Sequence, residues 1–301
     1  GWLAGIGRKT MPETVKLFVS TACLPGNRSL QACLAEFQGA GLMNIELGAG
    51  VHVQPGDLDS LLKLSGMSWL VHNYFPPPEN PFVLNLASQN PGLLAQSRAL
   101  CEKAIEWCAR LRAPFYSVHA GFRADVDPAS LGRPLQHGQV QDYATAFATF
   151  AEAVRSLAEF GAARGVGILV EPNVVPAFNL TQGHNEIALL AEPREIEPLM
   201  RAIGHPGAGL LLDTGHLNVT AQTLGFSRTS FLDAAMPYVK VLHVHDNDAT
   251  FDLHEPVGST SWVLALLHSP EVAECPLVVE SRFPDVSQLR RYCDWLCEQL
   301  A

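Results

Sequence analysis

The sequence predicts a single closed (β/α)8 barrel. Short apolar runs of β-like spacing alternate with longer stretches of helical spacing to the end of the chain. Eight such β-then-α units spread over 301 residues suit a closed barrel better than an open doubly wound sheet. No glycine-rich dinucleotide fingerprint follows the first run, which weighs further against the open sheet.

The first strand is expected in KLFVSTAC (16–23), followed by the amphipathic SLQACLAEFQGAG, which ends at glycine as helix C-termini prefer. MNIELGA (43–49) and SWLVHNYF (68–75) supply the second and third strands, and the helical LLAQSRALCEKAIEWCARL follows. FYSVHAG (115–121) leads into YATAFATFAEAVRSLAEFGAARG. GILVEPNV (167–174), GLLLDTG (209–215) and VKVLHVHD (239–246) come next, and PLVVESRF (276–283) completes the set before DVSQLRRYCDWLCEQL. The longest irregular pieces, 76–90, 122–140, 174–184 and 247–258, all follow strands; in a barrel such loops surround the active-site face. No linker or low-complexity tract divides the chain, so residues 11–301 read as one domain. Residues 1–10, before Met11, read as an expression remnant or a disordered lead-in.

A net charge of −10 argues against broad attraction to nucleic acid. No apolar run approaches the length of a membrane span, and the opening GWLAGIG is too short for a signal peptide, so a cytoplasmic protein is expected. The seven cysteines, Cys23, Cys33, Cys101, Cys108, Cys275, Cys293 and Cys297, form no C-x-x-C pair and read as small packed hydrophobes in a reducing compartment. Self-association into a homo-oligomer is compatible with all of this.

The informative feature is polar. LLLDTGHLN (210–218) runs three leucines into an aspartate, and a lone carboxylate ending a buried strand is costly unless paired or metal-bound. Other strands end similarly: His72, His119, Glu171, Asp213 with His216 just beyond, His243 and His245, and Glu280, while the loop FDLHEP adds Asp252 and His254. Singly, each histidine has a structural reading as a hydrogen-bonded residue, and each glutamate as the partner of an Arg or Lys. Basic residues are scarce at the strand ends, with Arg123 and Arg282 nearest in sequence. Crowded carboxylates without cations would repel and protonate, so the set points to a divalent metal. Glu171, Asp213, His243 and Glu280 would give an oxygen-rich shell with one nitrogen, suiting Mn²⁺, Co²⁺, Mg²⁺ or Zn²⁺. No organic cofactor is expected. His243 and His245 alternate onto one face, and spacing leaves open which of them ligates.

The motifs VHNYF, YSVHAG, LVEPN, LLLDTGHLN, LHVHDND, DLHEPVG and VVESRF occur in that order. In order and spacing the chain resembles the xylose isomerase-like TIM barrels from about Lys16 to the C-terminus, a family that includes sugar isomerases and epimerases and the type-four apurinic endonucleases. In the epimerase branch the resemblance implies that Glu171, Asp213, His243 and Glu280 bind one divalent metal. It also implies that the two glutamates exchange protons with the substrate and that His216 contacts substrate oxygens. The family pattern His-apolar-x-Asp favours His243 over His245 as ligand. In the endonuclease branch nine positions bind three zinc ions, and each has a counterpart: His72, His119, Glu171, Asp213, His216, His243, Asp252, His254 and Glu280.

The expected function is therefore a metal-dependent isomerase or epimerase of a sugar, sugar phosphate or polyol, with Glu171 and Glu280 catalytic. His216 and Arg282 would orient hydroxyls, His72 and His119 would also line the substrate site, and Trp69, Phe75 and Phe178 would cover the apolar ring face. The alternative is a zinc phosphodiesterase of the endonuclease type. Against it, the loop at 76–90 holds no Lys or Arg for phosphate contacts. Gly258, Ser259 and Thr260 could cradle a substrate phosphate or simply begin a helix. Glu46 reads as a partner of a metal ligand or half of an interior ion pair, and Cys23 as a packed thiol or a cavity-lining one.

Overall fold

The computed structural model describes residues 16–26 and 28–301, so the expected lead-in at 1–10 lies outside the described residues. Eight parallel strands close into a barrel in sequence order. They are β1 (Leu17–Ser20), β2 (Asn44–Leu47), β3 (Ser68–His72), β4 (Phe115–His119), β5 (Gly167–Glu171), β6 (Ala208–Asp213), β7 (Val239–Val244) and β8 (Leu277–Val279). β8 returns to β1, with Leu277, Val278 and Val279 opposite Leu17, Phe18 and Val19. Each strand falls inside or within one residue of a predicted run and stops short of its far end. In β1, for instance, Ser20 caps a turn of 3-10 helix over Thr21–Cys23, taking the rest of the apolar run out of the ladder.

The helices are α1 (Leu30–Gly39), α2 (Asp57–Leu61), α3 (Pro91–Leu111), α4 (Tyr143–Ala162), α5 (Pro193–Ile203), α6 (Thr214–Leu224), α7 (Arg228–Ala235), α8 (Trp262–Leu267) and α9 (Val286–Leu300). Their apolar faces meet the outer faces of the strands in one large core. Among the described residues no helix is long and apolar enough to cross a membrane. All seven cysteines are free; Cys297 is exposed and Cys275 half-buried, unlike the packed thiols expected, whereas the other five are buried. Cys23 donates its thiol to the Val279 carbonyl at 2.9 Å, which makes it a packed residue.

Strand alternation sorts the barrel interior into two layers. Phe18, Leu70, Leu169, Leu211, Val241 and Val278 form a separate buried cluster joined by Phe115. Each of these apolar side chains contributes roughly 1.5–3 kcal/mol by leaving water. Two residues further along the same strands, on the same face, come Ser20, His72, Glu171, Asp213, His243 and Glu280. A hydrocarbon floor thus carries a polar layer on its C-terminal side. Between β6 and β7 the register shifts by one residue: Leu210 faces Val239 and Leu211 faces Val241, leaving Lys240 exposed. Above the shift Asp213 stands opposite His243.

Candidate metal centre

The stretch Asp213 to His216 assembles most of the site. β6 passes into α6 without a loop, and Asp213 is the N-cap, accepting the His216 N–H at 2.8 Å. Thr214 ties the start of α6 to β7: its hydroxyl lies 2.6 Å from the His245 carbonyl and 3.2 Å from that of His243. Gly215 has no left-handed φ, so it does not serve to turn the chain. It supplies space, because a Cβ there would overlap the His245 imidazole. Gly215→Ala is therefore expected to cost roughly 1–3 kcal/mol, read as a fall in thermal midpoint of about 2–4 °C per kcal/mol.

Around this stretch, five carboxylates and six imidazoles face one another. His72 Nε2 and His119 Nε2 lie 3.4 and 3.5 Å from Glu171 Oε2. The ring of His72 is aimed by Ser117, whose hydroxyl is 2.9 Å from Nδ1. His216 Nδ1 reaches Glu171 Oε1 at 3.0 Å, and its Nε2 lies 3.4 Å from Asp252 Oδ2. Three carboxylates surround His243 Nδ1: Glu280 Oε2 at 3.3 Å, Asp213 Oδ2 at 3.6 Å and Glu171 Oε1 at 4.0 Å. The other nitrogen of His243 bonds Glu46 Oε2 at 2.9 Å. Asp252 and His254 reach the centre because the loop after β7 folds back through paired backbone bonds between Asp246 and Glu255. His254, at φ 53, is held there in the left-handed region.

The electrostatics follow from burial and mutual pairing. Burial pushes the Glu171 carboxyl up, but the charges of His119 and His72 and the bond from His216 outweigh it and hold the group at about 2. Burial likewise opposes ionisation of Asp213, Asp252 and Glu280, yet neighbouring histidines hold all three below the ordinary carboxylate range. Burial disfavours charge on His216, His243 and His254 too; facing carboxylates raise them above the ordinary value. His119, with desolvation dominant, is lowered to about 4.

This donor set fits a divalent cation. No Lys or Arg pairs with any of the five carboxylates among the described residues. Glu171 Oε2, His243 Nδ1, His245 Nδ1 and Asp252 Oδ1 are buried without a hydrogen-bond partner among the described residues. Donor atoms of Glu171, Asp213 and His243 come within 4.8 Å of one another, as do those of His72, His119 and Glu171. Asp213→Asn keeps a helix cap and loses a ligand, whereas Asp213→Ala loses both. The alanine variant is expected to be about 1 kcal/mol less stable than the asparagine variant when both are metal-free. Thermal denaturation alongside metal analysis separates the two effects.

All nine positions named from the sequence converge here, and Glu46 joins them as the partner of His243. Trp69 and Phe75 do not. Trp69 is three residues from His72 and so points to the opposite face, into the core between strands and helices; Phe75 is fully buried in that same core. Arg282 is exposed beyond β8, its backbone N–H bonded to the His254 carbonyl. Phe178 stands at the rim and stacks with Phe251, ring centroids 6.4 Å apart. Phe251 was signalled only by its place beside Asp252. Ser261, one residue beyond the suggested phosphate cradle, caps α8 and bonds Asp246. That carboxylate disfavours a phosphate there.

A family model described as xylose isomerase-like TIM barrel matches residues 47–299. The chain belongs to this family. No curated protein matches the chain. Among solved structures, this xylose isomerase-like barrel is similar to a D-tagatose 3-epimerase-like protein (TM-score 0.69, 17% identity), covering 95% of this chain and 100% of the other. An L-ribulose 3-epimerase follows (TM-score 0.65, 14% identity, 95% and 92% coverage). A Thermus thermophilus protein soaked with zinc chloride aligns at TM-score 0.60 and 20% identity, covering 95% and 99%. At these identities the likeness establishes the shared fold.

Proposed function

We propose that the chain is a divalent-metal-dependent isomerase or epimerase of a sugar, sugar phosphate or related polyol. The observation that carries this reading is the convergence of Glu171, Asp213 and Glu280, at the C-terminal ends of the barrel strands, on His243 Nδ1, which has no hydrogen-bond partner among the described residues. Those four residues would hold the cation. A bound divalent cation supplies Lewis acidity, which acidifies the C–H beside a ligated carbonyl or, in a cluster, lowers the pKa of water. Glu171 and Glu280 stand on either side of His243 and are the groups to take the proton from one face of the substrate and return one to the other. His216, wedged between Glu171 and Asp252, would orient hydroxyls, with Arg282 outside it. The Phe178–Phe251 stack, 38% and 49% exposed, offers an apolar surface to a sugar ring. The sugar epimerases among the structural neighbours support this choice of substrate class.

Incubation of the metal-loaded protein with a panel of ketoses in D₂O tests the reading. Deuterium at the carbon beside the carbonyl is expected, and its absence across the panel would overturn the proposal.

A second reading, a zinc phosphodiesterase, is favoured by the donors beyond one cation's needs: His72 and His119 on Glu171, and His216 and His254 on Asp252. Incision of an abasic-site duplex in the presence of zinc would establish it in place of the first.

A further inference from the structure

A cavity of about 220 Å³ lies between the loops that follow β3 and β4, and none of its lining residues belongs to the metal centre. One wall is a ribbon in which backbone hydrogen bonds join Arg123 to Gln141, Asp125 to Gly138 and Asp127 to Gln136, at 2.7, 3.0 and 2.8 Å. Side chains alternate along such a ribbon. Those of Phe122, Ala124, Val126 and Val140 pack with Val83 and Ile187 in a small apolar cluster. Arg123, Asp125, Gln139 and Gln141 therefore turn the other way, and all four line the cavity. The facing wall is the segment 85–90, fixed by Asn85, which is 1% exposed. Its Nδ2 donates to the Phe122 carbonyl at 3.0 Å and to Asp125 Oδ1 at 3.1 Å. Its Oδ1 accepts the N–H groups of Ala87 at 3.0 Å and Phe122 at 2.9 Å. A buried amide with its bonding capacity filled thus braces the two walls at their base. Gly121 permits the close approach there, since a Cβ would come within 2.8 Å of the Ala87 Cβ.

We propose that this cavity is a second ligand site, apart from the metal centre, that takes one neutral polyhydroxyl molecule of monosaccharide size. The charges in the lining argue against an ion. Arg123 donates its Nε–H to the Gln141 carbonyl at 3.0 Å, and Asp125 accepts from Asn85; neither charge makes an ion pair among the described residues. One guanidinium and one carboxylate on the same wall cancel in net charge, so neither an anion nor a cation is favoured over the other. Around them stand the amides of Gln89, Gln139 and Gln141. An amide offers donors and an acceptor together, and a hydroxyl does the same, so a polyol can satisfy this lining at several points at once. The volume is below the roughly 300 Å³ at which pockets for drug-sized ligands begin, which suits a single small ring. The inference does not depend on the metal-dependent reading, because the lining chemistry alone selects the ligand class.

Saturation-transfer NMR titration of the chelator-treated full chain tests the proposal, with D-glucose, D-fructose and D-sorbitol as neutral probes and glycine and inorganic phosphate as charged ones. At least one neutral probe is expected to bind. Arg123→Gln and Asp125→Asn should each weaken that binding about tenfold or more, the loss expected when a hydrogen bond to a charged group goes. Glu280→Gln, in the metal centre, should leave it unchanged. Gln139→Ala changes an exposed side chain of the lining and should weaken binding too; it decides if the other two variants do not fold. Three results would overturn the site: no binding of any neutral probe, binding that falls in Glu280→Gln and persists in the cavity variants, or a charged probe bound there in place of the neutral ones. Each of these leaves the deuterium test of the metal centre standing, and a failed deuterium test leaves this cavity untouched.

Discussion

Glu280→Gln is expected to lower kcat by about 10²–10⁴-fold, the span over which a positioned acid or base contributes, with little change in folding. The substitution keeps the shape of the side chain and removes its basicity. Glu171→Gln should match it in activity and differ in stability. The Glu171 side chain is 1% exposed and pairs with His72, His119 and His216, whereas that of Glu280 is 11% exposed and, among the described residues, pairs with His243 and His254. Steady-state rates on whichever sugar the deuterium panel reveals, measured beside thermal midpoints and metal content, check both. A Glu280→Gln protein with full metal content and parental kcat would remove that residue from the chemistry.

Stripping the metal is expected to make stability fall as pH rises above neutrality. In the metal-free fold His216 and His243 are held well above their ordinary 6.5 by the carboxylates around them, against the pull of burial. A raised folded pKa stabilises fully below the unfolded value, and that stability is lost as pH climbs from 6.5 through the folded pKa. The loss is on the order of 1.4 kcal/mol per histidine for each pKa unit of displacement. Glu171 works in the opposite window: depressed from 4.5 to about 2, it stabilises above its unfolded value and loses this as pH falls between the two. His119, lowered to about 4, adds to the acid loss because the unfolded chain takes up its proton first, from 6.5 downward. Ligated histidines are neutral, so the metal-loaded protein should lack the alkaline decline, and metal uptake should release protons. Thermal midpoints from about pH 6.5 to 9, with and without chelator, give the comparison; parallel curves would contradict it.

The barrel was legible because period-2 apolar runs alternate with amphipathic stretches, and every predicted run contains most or all of its strand. The polar layer was legible because parallel strands bring their C-terminal ends together, which turns His72, Glu171, Asp213 and Glu280 into neighbours across a large part of the chain. Alternation would also have excluded Trp69: it is an odd number of residues from His72 and so cannot share its face. Phe75 follows the strand, where no periodicity says which way a side chain turns. The partners of His245 were hidden because they depend on a close approach between α6 and β7. Gly215 marks that approach, but nothing in the sequence says what its missing side chain makes room for. The loop residue Phe251 carries no pattern, and its stack with Phe178 exists only once two loops meet.

The hydrocarbon floor beneath the polar layer leaves the candidate site to be reached from the C-terminal side of the barrel. Phe18, Leu70, Leu169, Leu211, Val241 and Val278 close the lower end, so nothing passes along the barrel axis. On the proposed function, a cation bound for Glu171 and Asp213 would enter from the side that carries Asp252, Glu280 and the two rim phenylalanines, the side a sugar would then occupy. Loading would then be ordered by topology: metal first, substrate second, with a bound sugar as the stopper that keeps the metal from leaving.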